Sequence, residues 1–85
     1  EEFVILLNKI SPENSEKIAQ NTIDLVASYD FINDNLSIKT TLSCGLFHSS
    51  ICQISNFKNI LKFADIALYK AKNLGRNNVQ IYKDD

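Results

Sequence analysis

Five consecutive apolar residues, Phe3-Val4-Ile5-Leu6-Leu7, stand just ahead of Asn8-Lys9. A run of that length is too short for a helix and, without polar alternation, predicts a strand covered on both faces. Such a strand needs neighbours along its edges and helices over its faces, so the chain has to fold as layers of helix on sheet. The next residues predict the first of those helices. Ser11 can cap, Pro12 suits the first helical position and Glu13 faces the positive end of the helix dipole. Ile18, Thr22, Leu25, Val26 and Tyr29 then recur at helical spacing, giving a helix over residues 12–29. The acids and asparagines of residues 30–35 read as a loop.

The period then changes. Leu36, Ile38, Thr40, Leu42, Cys44 and Leu46 alternate with Ser37, Lys39, Thr41, Ser43 and Gly45, which predicts one long strand with one buried face. Gly45 inside it marks a bulge or a close backbone approach. Residues 48–55 are polar and connecting. Ser55 or Asn56 can cap a second helix, whose apolar stripe is Phe57, Ile60, Leu61, Ala64, Ala67, Leu68 and Ala71, and Gly75 can supply the left-handed residue that ends it. Val79-Gln80-Ile81-Tyr82 reads as a short last strand. The order strand, helix, strand, helix, strand defines an α/β (α+β sandwich) layer within one small domain of 85 residues.

Composition narrows the function classes. With 45% hydrophobic and 22% charged residues the chain is globular in type rather than disordered. It holds no run of the roughly 18 apolar residues that a membrane helix needs. No membrane contact is therefore expected of this segment, and a cytoplasmic location is. Cys44 and Cys52 are too few for a disulfide scaffold and match no zinc spacing, so they read as two reduced thiols at apolar positions. The net charge of −1 conceals an asymmetry: residues 1–35 carry two lysines against seven acids, and residues 36–83 carry seven bases against Asp65 alone. A basic C-terminal half suits an anion such as phosphate, whereas a duplex-binding domain is usually basic throughout. A solvated lysine-rich helix face is the plainer alternative. Nucleic acid is not an expected partner, because Tyr69 and the phenylalanines sit at core spacing. His48 has neither a second ligand at metal spacing nor a nucleophile beside it, and reads as a surface or loop histidine. Asp65 reads as structural, within reach of Lys62 or Tyr69 on its helix.

Three segments carry a resemblance. Glu1-Glu2-Phe3-Val4-Ile5-Leu6-Leu7 looks like the end of a glycine-glycine-acid-glutamate-phenylalanine signature followed by its strand. Thr41-Leu42-Ser43-Cys44-Gly45-Leu46 resembles a serine-x-glycine strand. The run from Ala64-Asp65-Ile66-Ala67-Leu68-Tyr69-Lys70-Ala71-Lys72 through Asn73-Leu74-Gly75-Arg76-Asn77-Asn78-Val79 is similar to an alanine-leucine-tyrosine helix closed by lysine-x-x-glycine-arginine-asparagine. In this order and at this spacing they resemble the C-terminal half of a GGDEF domain, the diguanylate cyclase family.

The resemblance implies the family's nucleotide-cyclase-like palm fold, with a mainly antiparallel sheet and flanking helices. It also implies an activity: two GTP molecules condense into cyclic di-GMP with release of pyrophosphate, each GTP presented by one domain of a homodimer. By resemblance, Glu1 is a catalytic residue that binds magnesium (or manganese) and helps deprotonate the attacking hydroxyl, and Glu2 is a second catalytic acid in a supporting role. Neighbouring strand residues point to opposite faces, so the two cannot serve one metal equivalently. Lys72 and Arg76 correspond to the pair that grips the terminal phosphates of GTP, though cations at a helix C-terminus also stabilise its dipole. Asn77 is expected to shape the turn, and Asn21 stands where members with a product-binding site carry an arginine. The family's metal aspartate, guanine contacts and two signature glycines precede the matched positions, so the 85 residues alone are expected to be inactive. A degenerate domain that binds GTP or another protein as a regulatory module is the alternative.

Overall fold

The computed structural model describes residues 2–51 and 56–84. Helix α1 covers Pro12–Ser28, strand β1 Phe31–Asn33, strand β2 Leu36–Ile38, strand β3 Cys44–Leu46, helix α2 Phe57–Asn73 and strand β4 Val79–Ile81. Both helices begin as the sequence predicts. The Ser11 Oγ accepts from the Asn14 amide at 3.1 Å, with Pro12 at the first helical position. The Asn56 Oδ1 accepts from the Asn59 amide at 2.9 Å. Each side chain satisfies an amide that the helix leaves unpaired.

β3 and β4 pair in parallel, with Cys44, Gly45 and Leu46 opposite Val79, Gln80 and Ile81. The connection between them is α2, and a helical crossover returns the second strand in the direction of the first. α1 and α2 each contact β3 and β4 but not each other, which puts them on opposite faces of this pair. Among the described residues, Ile23 of α1 and Ala67 and Ala71 of α2 are the buried apolar ones. Small residues on α2 let it come close to β3. A side-chain carbon added at Gly45 would overlap the Ala64 carbonyl oxygen and the Leu68 amide nitrogen and lie 2.7 Å from the Leu68 Cα. Gly45 is thus a close-approach glycine, not a bulge. Phe63 of α2 stacks on Tyr82 beyond β4, with ring centres 4.4 Å apart, and Phe47 beyond β3 completes the cluster at 5.7 and 6.0 Å.

Several expectations are corrected. Residues 3–7 form no strand: Phe3, Val4, Ile5 and Leu6 are 82%, 64%, 77% and 77% exposed. An apolar run becomes a buried strand only where backbone partners and a covering layer meet it, and neither stands beside it among the described residues. The long strand over residues 36–46 is two strands in different sheets. β2 pairs antiparallel with β1 across Asp34 and Asn35, whose φ values of 50° and 68° make a hairpin turn. The residues expected as a loop therefore contain β1. Finally, a mainly antiparallel sheet is not seen: the described strands form two separate pairs, one antiparallel and one parallel. Tyr69, placed in the core by its spacing, is exposed.

Candidate functional site

The C-terminal end of α2 is closed by a six-residue arrangement that fixes where Arg76 leaves the helix. The Gly75 amide donates to the Lys72 carbonyl at 3.3 Å and the Arg76 amide to the Ala71 carbonyl at 3.0 Å, with Gly75 at φ 109°. This is the paired-bond closure that a left-handed glycine permits. The chain then stays left-handed at Arg76 (φ 64°) and Asn77 (φ 54°). Two successive non-glycine residues there store conformational strain, which persists only where surrounding bonds hold it. Those bonds are present. The Asn78 side-chain amide donates to the Ala71 and Arg76 carbonyls, both at 2.9 Å, and its oxygen accepts from Gln80 at 2.9 Å. The Asn77 amide donates to the Ser43 Oγ at 3.3 Å, tying the turn to the segment before β3.

Lys72, in the last turn of α2, is partly buried, and its Nζ donates to the Glu2 Oε2 at 3.3 Å. The structure therefore brings together two of the four candidate residues, 70 positions apart. Arg76 is exposed on the turn four residues beyond Lys72, and its side chain makes no ion pair among the described residues. Glu1 lies outside the described residues. Among those described, no three His, Cys, Asp or Glu side chains gather as a metal cage.

Asn78 is the residue that sequence reasoning missed. Its signal was the doubled asparagine after Gly75-Arg76, since asparagine bonds readily to nearby backbone. His48 does more than decorate a loop. Its Nδ1 accepts from the Ser50 amide at 3.0 Å, so Nε2 carries the proton and donates to the Ile10 carbonyl at 2.7 Å. That bond links the loop after β3 to the start of α1. Asp65 is exposed and pairs with neither Lys62 nor Tyr69. Cys44, half-buried in β3, is a free cysteine whose thiol is pushed up by burial.

A family model described as "Diguanylate cyclase, GGDEF domain" matches residues 1–78, a span that ends on Asn78. The chain belongs to the GGDEF family. A curated relative of that family, Diguanylate cyclase A of Treponema denticola, is 31% identical over 85 residues, the whole of this chain. The chain spans 23% of that relative's length. No described helix is long and apolar enough to cross a membrane.

Proposed function

We propose that this GGDEF chain is the C-terminal half of one cyclase domain, which condenses two GTP molecules into cyclic di-GMP with release of pyrophosphate. The observation that carries the reading is the braced turn at the end of α2. A lysine in the last helical turn and an arginine on a strained, multiply bonded loop lie four residues apart, in a chain the family matches from end to end of that motif. Strain held at a cationic residue suits a preorganised anion site. Lys72 supplies a point charge and Arg76 a planar fork fitted to phosphate oxygens, so together they would hold the β- and γ-phosphates. Held there, the triphosphate presents its α-phosphate to the 3′-hydroxyl on the opposite domain of a homodimer.

Glu1 is the proposed holder of the divalent cation, magnesium or manganese. Its carboxylate is a hard oxygen ligand of the type these ions take, and the cation would offset charge developing on the phosphates. Glu2 is the supporting acid. The exposed apolar segment of residues 3–7 also gains a role on this reading: it would be a strand of the family's palm sheet, paired with a strand of the first half of the domain.

The test uses the full-length protein, with GTP and magnesium, and follows cyclic di-GMP by chromatography. The native protein should form it. Arg76→Ala should raise KM for GTP at least about tenfold, in keeping with the loss of a charged hydrogen-bond pair. No product from the native protein, with GTP still bound, would favour a degenerate regulatory domain. An unchanged KM in the variant would remove Arg76 from the site.

A further inference from the structure

The Glu2–Lys72 ion pair is not explained by the helix that carries Lys72. The positions three and four residues away on α2 and its cap are Leu68, Tyr69, Gly75 and Arg76, none of them acidic. No carboxylate three or four residues away can therefore pair with the ammonium, and its partner comes from 70 residues away in sequence. Lys70, in the same turn, makes no ion pair among the described residues. Lys72 is thus the oriented lysine of that turn. Its side chain is 35% exposed against 60% for the glutamate. The side chain is partly buried, and its ammonium is paired with a carboxylate.

We propose that Glu2 is a positioning residue, whose carboxylate orders the Lys72 ammonium at the place where the terminal phosphates of GTP arrive. This rests on the reading of Lys72 as a phosphate ligand. A lysine side chain has many rotamers, and ordering it before the ligand binds removes that cost from binding. The carboxylate accepts one of the ammonium's three donors, which leaves the other two for phosphate oxygens. Glu2 then acts through Lys72 rather than on the reacting atoms.

The sign of one substitution separates this role from the alternatives. Removing a negative charge beside a phosphate site should by Coulomb's law alone tighten GTP binding. If Glu2 positions Lys72, Glu2→Gln should instead weaken it, about threefold to tenfold, while GMP binding stays unchanged. The experiment is calorimetric titration of the full-length protein with GTP and with GMP, for Glu2→Gln, Lys72→Ala and the double variant. The expected result is that Glu2→Gln weakens GTP binding in the native background and adds nothing once Lys72 is alanine. Tighter GTP binding by Glu2→Gln would make Glu2 a mask over Lys72 and overturn the proposal. Equal losses for GTP and GMP, or the same loss in both backgrounds, would overturn it too. If Glu2→Gln leaves GTP binding untouched while Lys72→Ala weakens it, positioning alone fails. If Lys72→Ala leaves it untouched, the phosphate reading itself fails and takes the proposal with it.

Discussion

The strands of the unit β3–α2–β4 are partly covered, whereas those of the hairpin β1–β2 are exposed. In the first, three-residue strands of modest hydrophobicity are covered by a helix whose contact residues are Ala67, Ala71 and the backbone at Ala64 and Leu68, against a glycine. In the second, Phe31, Ile32, Leu36 and Ile38 are larger and more apolar, yet 41%, 74%, 66% and 52% exposed. Among the described elements, the hairpin strands contact only each other. The radius of gyration, 14.3 Å, exceeds the roughly 12 Å of a compact chain of this length, as projecting segments require. Burial follows from a partner at close range, and small residues secure that range better than large ones do. The apolar content of a segment states only what it would gain if a partner came.

The largest difference between the two regions is expected at Gly45. Gly45→Ala should destabilise the domain by about 3 kcal/mol or more, because the added methyl meets helix backbone rather than a side chain that can turn aside. Ile32→Ala in the hairpin should cost under about 0.5 kcal/mol. Urea unfolding of the full-length protein measures both. Similar losses would mean that the two regions are equally packed.

A middle-sized effect is expected at the turn. Asn78→Ala removes the donors that hold the Ala71 and Arg76 carbonyls, and should cost about 1–2 kcal/mol. Because the strained Arg76 loses its brace, GTP affinity should fall as well. A stability loss with unchanged affinity would separate the turn from the site.

The smallest effect belongs to the hairpin's ion pair. Lys39, hydrogen-bonded to Asp30 at 2.9 Å and attracting it by charge, holds the Asp30 carboxyl below the usual carboxylate range. A lowered folded-state pKa means that the stabilisation is present above the ordinary carboxylate value, about 3.9, and is lost as pH falls through the lowered one. Asp30→Asn should therefore lower neutral stability slightly, and the difference from the native protein should vanish as pH falls through the lowered value. The pair is exposed, so 1 M salt should erase the difference. A clear loss at neutral pH would show that the hairpin is anchored more firmly than its exposure indicates.

Local chemistry was legible in advance. Ser11-Pro12 and Asn56 announced the helix starts and Gly75 the end of α2, because caps act over four or five residues and depend on nothing distant. Gly45 announced a bulge or a close approach, and only the fold decided between them and named the helix. The candidate cations were legible as residues, and their fit to a phosphate came only from the resemblance. Asp34-Asn35 is a fair hairpin signal, but two such residues serve a loop equally well until strands flank them.

Decisions that join distant positions belonged to the tertiary structure alone. Period-two alternation runs unbroken from Leu36 to Leu46, and nothing in it marks where one sheet ends and another begins. Parallel pairing of β3 with β4 depends on the path of α2, and the exposure of residues 3–7 depends on which strands stand beside them. The Glu2–Lys72 pair depends on both. Backbone propensity and capping are short-range energies that a sequence writes directly. Pairing and burial are energies of proximity, and for residues far apart in the chain only the folded arrangement creates it.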